Sequence, residues 1–151
     1  MTDHAATIHA SAVLAGPRAV LIRGPSGCGK SRLALDLIEA AKGGLLAFAR
    51  LVADDRAQVE AASGRLLVRP APGLEGLIEI RGLGIRRLAF EPVAVVGLVV
   101  DLAATDAERL PGSENARVTI AGVNLRRLAM ATGEMPLSRV AAALHISESG
   151  V

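Results

Sequence analysis

The chain has 151 residues, 51% of them hydrophobic and 21% charged, and a formal net charge of only +2. That length supports a proper core, and that composition excludes a disordered chain, so residues 1–151 read as a single domain. Phe48 and Phe90 are the only aromatics, which weighs against a single-stranded nucleic-acid binder that stacks bases on aromatic side chains.

Asp3 and His4 stand near the start with no apolar stretch behind a basic end, so no secretory signal is read there. The longest uncharged apolar run, Pro92 to Val100, is too short to span a bilayer. The expected location is the cytoplasm, with no membrane and no nucleic acid among the partners. A lone cysteine, Cys28, allows no internal disulfide and suits a reducing compartment.

The first predicted element is a strand over Ala6–Leu14 that turns at Gly16-Pro17. His9 lies on it. The apolar run Ala19-Val20-Leu21-Ile22 then reads as a buried strand. It feeds Gly24-Pro25-Ser26-Gly27-Cys28-Gly29-Lys30-Ser31, which fits the phosphate-loop pattern G-x-x-x-x-G-K-[ST] at every fixed position. The glycines permit backbone angles that a side chain forbids, so successive N–H groups can turn toward an anion. Lys30 adds a positive charge near the terminal phosphates, and Ser31 offers a hydroxyl to magnesium. Leu33, Leu35, Leu37 and Ile38 recur at helical spacing after the loop, and the helix should end near Gly43-Gly44. Its N-terminal dipole would face the same phosphates.

Leu45–Ala53 is an apolar run ending in Asp54-Asp55. An acid at a strand end is what a phosphate loop needs next, to hold magnesium or to polarise the attacking group. The run Val95–Val100 also ends in an acid, Asp101, and either strand end can supply the metal-side carboxylate. Gln58–Ala62 and Arg65–Arg69 flank Ser63-Gly64, a two-residue hairpin turn. In Ile78-Glu79-Ile80-Arg81-Gly82-Leu83-Gly84-Ile85, alternation places Glu79 and Arg81 on one face. They form either a metal and phosphate site or an ordinary ion pair on an edge strand. Thr105–Asn115 reads as a polar loop, Val118-Thr119-Ile120 follows it, and Leu125–Met130 and Leu137–Leu144 read as helical segments.

The phosphate loop, Leu51-Val52-Ala53-Asp54-Asp55 and Glu79-Ile80-Arg81-Gly82-Leu83-Gly84 together resemble the catalytic domain of HPr kinase/phosphorylase. The likeness runs over residues 5 to 130, in the short form that lacks the family's separate N-terminal domain. His9 stands at the distance before Gly24 where that family carries an active-site histidine. The resemblance implies an α/β fold of the phosphoenolpyruvate-carboxykinase type, P-loop-containing, with a mixed sheet and flanking helices. It implies ATP-dependent phosphorylation of a serine on the phosphocarrier HPr, or on its nitrogen-branch relative, with ATP and Mg2+ as cofactors. It also implies phosphorolysis in reverse, and a hexamer.

By residue, the resemblance gives Gly24, Pro25, Ser26, Gly27, Cys28, Gly29, Lys30 and Ser31 to the nucleotide phosphates. It gives Ser31 and Glu79 to magnesium. Asp54 and Asp55 would supply the carboxylate that accepts the serine proton, with Asp55 favoured for that step, and His9 would sit near the transferred group. The family's later basic loop, rich in Arg, Pro, Gly and Asn, has no readable counterpart, and Ala121–Arg127 stands in its place. A small insertion falls around Gly43 to Phe48. Without the resemblance, the loop also suits a small-molecule kinase or a regulatory nucleotide-binding module without turnover. The first needs an acceptor-binding lid, which is not evident, and the second has no need of Asp54 and Asp55.

Overall fold

The computed structural model describes residues 5–107 and 116–148. Its framework is a strongly curved sheet in which β9 (Ala94–Asp101) is the central strand. Almost every residue of β9 is apolar, and its last four before Asp101 are mostly buried on both faces, as expected of a strand covered on both sides. β3 (Arg18–Arg23) runs parallel to it. β2 (Ala10–Ala15) pairs antiparallel with β3, and β4 (Ala49–Ala53) antiparallel with β2. On the other side β6 (Arg65–Pro70) meets the start of β9, and β11 (Val123–Ala129) runs parallel to its end. β5 (Ala57–Ala62) continues the sheet from β6, β1 (Ala6–Ile8) from β5, and β10 (Arg117–Ile120) from β11. Gly97 makes the central crossing possible, because a Cβ there would stand 2.7 Å from the Arg18 Cβ on β3.

Alternation along β3 divides the core. Val20 and Ile22 face α1 (Lys30–Lys42) and α2 (Pro136–Glu148), in a cluster with Leu33, Leu37, Leu98, Val100, Met130 and Val140. Ala19 and Leu21 face the opposite way, among Val52, Val59, Leu66, Val68, Val99 and Leu125. A second small sheet, β7 (Leu77–Ile80) with β8 (Gly84–Arg87), buries Ile78 against the helical side. The mixed sheet with flanking helices is the architecture the resemblance implies.

Several expectations hold. α1 ends at Gly43, whose N–H bonds back into the helix. Ser63 and Gly64 both have positive φ, 54° and 78°, the twist that a two-residue hairpin requires. α2 covers the expected helical segment Leu137–Leu144.

Others need correction. Leu125–Met130 is not helical: Ala121 and Gly122 take φ of 52° and 81° and turn the chain from β10 into β11. The strand after α1 begins at Ala49, not Leu45, because Leu45 N–H still bonds to Ala40 O and Gly44 takes φ 88°. The proposed counterpart of the basic loop, Ala121–Arg127, is this turn and strand. β4 is separated by β2 from the strand that feeds the phosphate loop, whose parallel neighbour is β9. Of the polar loop Thr105–Asn115, residues 108–115 lie outside the described residues.

Candidate active site

β3 stops at Arg23, the loop runs from Gly24 to Gly29, and α1 begins at Lys30. Gly24 is required by space: a Cβ there would sit 2.5 Å from Cys28 Sγ and 3.0 Å from Leu102 O. Gly29 caps the helix in the left-handed region at φ 104°, where only glycine is unstrained. Cys28 N–H closes the turn onto Pro25 O, and Leu33 N–H onto Gly29 O. Lys30 is buried, and its ammonium donates to the carbonyls of Gly24 (2.9 Å) and Pro25 (3.2 Å). Two of its three donors therefore brace the loop that it serves.

Asp54 reaches the end of this loop from β4. The β2–β4 register shifts between Ala12 and Val13, so Ala12 faces Ala53 while Val13 faces Leu51. A bulge of this kind re-aims the strand end. Asp54 Oδ1 accepts hydrogen bonds from Ser31 Oγ (2.6 Å) and Ser11 Oγ (2.9 Å), and Oδ2 accepts from Glu79 N–H (3.0 Å). Asp54 is buried and Asp55 is exposed. Between them the chain turns: Asp55 takes φ 68°, and Arg56 N–H bonds to Asp54 O at 2.8 Å. Two neighbouring acids thus occupy different environments on one site.

Ser11 belongs to no motif of the sequence. It is fully buried on β2 and accepts from Asp55 N–H (3.1 Å) while donating to Asp54. The available signal was a hydroxyl inside the otherwise apolar Ala10–Ala15. Glu79 and Arg81 stand exposed at the end of β7. With Ser26, Lys30, Ser31, Asp54 and Asp55 they line a cleft of about 940 Å³, large enough for a nucleotide's phosphates and an incoming group. His9 lies at the break between β1 and β2, exposed and outside that lining. It precedes Ala10, whose N–H bonds to Asp55 O.

Asp101, the rival acid, is engaged elsewhere. Arg23 grips both its oxygens at 2.7 and 2.8 Å, and Arg127 Nε adds a bond of 2.6 Å. Burial pushes the Asp101 carboxyl up, but the hydrogen bonds and charges of Arg23 and Arg127 outweigh it and hold the group below its ordinary range. Arg127 also forms a fork with Asp106, at 2.8 and 3.0 Å. That bond lowers the Asp106 carboxyl and, against desolvation, raises the Arg127 guanidinium together with Asp101. These pairs fasten the ends of β3, β9 and β11 beneath the loop.

A buried strand, a glycine-rich anion cradle and a helix in succession, on a mixed sheet, define a phosphate-loop α/β domain. The family model described as HPr Serine kinase C-terminal domain matches residues 3–134. The chain belongs to this family. It is similar to the HPr kinase/phosphorylase of Geobacillus thermodenitrificans, with 38% identity over 120 residues that cover 72% of this chain and 37% of the relative. The HPr kinase/phosphorylase of Mycoplasma mycoides is 31% identical over 144 residues, 87% of this chain and 42% of the relative. The chain thus spans roughly two fifths of the length of these curated relatives. The fold matches a solved structure titled as the Hpr(Ser) kinase/phosphatase from Coxiella burnetii. The TM-score is 0.76 at 22% identity, over 96% of this chain and 92% of that one.

Proposed function

We propose that this chain is a single catalytic domain that uses ATP and magnesium to phosphorylate a serine of HPr or of its nitrogen-branch relative. The observation that carries this reading is the bond from Ser31 Oγ to Asp54 Oδ1, with Glu79 N–H on the other oxygen. It joins the phosphate loop, the paired acids and the Glu-Ile-Arg-Gly-Leu-Gly segment in one cleft.

The donor set is hard oxygen throughout: a hydroxyl and carboxylates. Among the described residues no group of three or more His, Cys, Asp and Glu side chains forms a self-sufficient cage. This suits magnesium, which takes one or two carboxylates and completes its shell from phosphate and water. Ser31 and Glu79 would hold it. When bound, the ion neutralises charge that develops on the transferred phosphoryl group.

The chain's own residues do the rest. The loop amides and Lys30 bind and orient the terminal phosphates. Asp54 already accepts three hydrogen bonds, so it orients Ser31 and the β7 strand rather than exchanging protons. Asp55 is exposed beside it and accepts the proton of the incoming serine hydroxyl. His9 flanks Asp55 through the Ala10–Asp55 backbone bond. In reverse, Asp55 would take a proton from inorganic phosphate as its oxygen attacks the phosphoserine phosphorus; the bond from phosphorus to the serine oxygen breaks, that oxygen receives the proton from Asp55, and pyrophosphate is the product. No helix among the described residues is long and apolar enough to cross a membrane.

The test is incubation with labelled ATP, magnesium and purified HPr or its nitrogen-branch relative, followed by mapping of the labelled residue. Label on one serine of a carrier supports the reading. Label on neither carrier, with ATP still bound, overturns it. Sedimentation of the same preparation decides whether the protein is the hexamer the resemblance implies.

A further inference from the structure

Between the two acids of the site stands a residue that substrate does not reach. Ser11 is fully buried and is not among the residues that line the cleft. On β2 it stands opposite Ile22 of β3 in register. Alternation puts it with Val13 on the side of the sheet toward α1, while Ala10 and Ala12 pack on the opposite side. It is the one polar residue of Ala10–Ala15, and packing alone gives no reason for a hydroxyl there.

The hydroxyl is oriented by its neighbours. It carries one hydrogen and two lone pairs. Asp55 N–H is a donor and takes a lone pair at 3.1 Å, so the hydrogen goes to Asp54 Oδ1 at 2.9 Å. Ser31 Oγ spends its own hydrogen on the same oxygen, which leaves its lone pairs for a cation. Asp55 meanwhile sits at φ 68°, a left-handed conformation that persists in a residue other than glycine only where its surroundings fix it. Three bonds do so: Arg56 N–H to Asp54 O, Ala10 N–H to Asp55 O, and Asp55 N–H to Ser11 Oγ. The first two join backbone to backbone, and any residues there would form them. The third depends on the Ser11 side chain.

We propose that Ser11 is a positioning residue for phosphoryl transfer: it holds the left-handed turn that keeps the Asp55 carboxylate in the cleft, and it acts on the rate through Asp55. This rests on the kinase reading above. Without the hydroxyl, Asp55 N–H loses its acceptor, and the strained turn loses the restraint on its own residue. The backbone then relaxes toward the extended conformation. Adjacent residues of an extended chain point to opposite sides, so the Asp55 carboxylate moves away from Asp54 and from the cleft. Asp54 keeps Ser31 Oγ and Glu79 N–H, and the metal and phosphate side of the site is the part that changes least.

The test is a double-substitution cycle with Ser11→Ala and Asp55→Asn, read by single-turnover phosphorylation of HPr or its nitrogen-branch relative well below the melting temperature of every variant. Ser11→Ala alone should slow transfer by about tenfold, inside the roughly hundredfold that a misplacement of about 1 Å can cost. Its affinity for magnesium-ATP, measured by calorimetry, should stay at the wild-type value. In the Asp55→Asn background the same substitution should leave the rate nearly unchanged, because the group it positions is gone. Ser11→Thr keeps the hydroxyl and should recover the rate; if its added methyl unfolds the protein, the cycle decides alone. A purely structural serine would lower the melting temperature and slow both backgrounds by the same factor. Equal factors therefore overturn the proposal, as does a Ser11→Ala protein with the wild-type rate or one whose ATP affinity falls in step with the rate. A wild type that binds magnesium-ATP and labels neither carrier overturns the kinase reading and this proposal with it, and is told apart because the unsubstituted protein is already inactive.

Discussion

Ser31 Oγ lies 2.6 Å from Asp54 Oδ1, although β2 separates the strand that feeds the phosphate loop from the strand that carries Asp54. The parallel strand beside the loop's own is β9, and its terminal acid, Asp101, is consumed by Arg23 and Arg127. The acid at the loop therefore comes from the far side of β2. Ser11 on β2 bridges the gap by bonding to Asp54 and to the Asp55 N–H.

Lys30→Ala should reduce phosphorylation of the carrier by about a hundredfold or more at saturating ATP, the scale for losing one preorganised charge at a developing anion. The backbone amides remain but do not replace a point charge. Turnover near wild type would remove the loop from the mechanism.

Glu79→Gln should shift the magnesium requirement upward by about tenfold, as losses around a metal commonly do, while nucleotide affinity changes less. The amide keeps the shape and loses the charge. Magnesium titrations at fixed ATP decide this, and superimposed curves would make Glu79 an ordinary surface carboxylate.

Ser11→Ala removes one donor from Asp54 and the acceptor of Asp55 N–H. The Asp55 N–H is only partly buried, so its unpairing costs about 1 kcal/mol, the low end for an unsatisfied donor. The melting temperature should fall, and the single-turnover rate should drop with it because both acids lose their tether. A variant with an unchanged rate would confine Ser11 to packing.

Asp101→Asn should destabilise the protein by about 1–3 kcal/mol near neutrality, because it removes the carboxylate that pairs with Arg23 and one of those that pair with Arg127. The folded Asp101 carboxyl lies below its ordinary value of 3.8. Its contribution is therefore complete above that value and fades as pH falls through the lower, folded value. Denaturation of both proteins between pH 7 and pH 2 should show the gap constant at first and closing below about pH 4. A gap independent of pH would exclude the ion pairs as its source.

What was legible in the sequence was local. The loop from Gly24 to Ser31, the Ser63-Gly64 turn and the helix end at Gly43-Gly44, where Gly44 takes φ 88°, each contain backbone angles that few residues adopt. Pairings between distant residues were not legible. Nothing near Asp101 announces Arg23, 78 positions away, and nothing in Leu45–Ala53 says which strand lies beside it. Leu125–Met130 reads as a helix from the sequence because Leu125 and Leu128 stand at helical spacing, yet the two pack on opposite sides of β11. The Ala121-Gly122 turn that decides the matter is a left-handed pair with one non-glycine member. Asp54 and Asp55 were found as a pair, but their division rests on the left-handed Asp55 and on Ser11, and neither was visible.

That division gives the last prediction. Adjacent strand residues point to opposite sides, so two acids side by side share a site only if the chain turns, as it does at Asp55 with φ 68°. Asp54 is buried with three hydrogen bonds accepted, which fix it between Ser31, Ser11 and the Glu79 N–H. Asp55 is exposed and its side chain is left to the cleft. A serine hydroxyl is a weak nucleophile and needs a positioned carboxylate to take its proton. Asp55→Asn should therefore cut single-turnover phosphorylation by about a hundredfold or more with ATP affinity kept. Asp54→Asn should weaken magnesium or nucleotide binding as well, since the orientation of Ser31 and of the Glu79 strand goes with it. Both constants should be measured for each variant, with Asp101→Asn alongside. An Asp55→Asn protein that keeps its single-turnover rate while Asp101→Asn loses it would move the catalytic acid to β9.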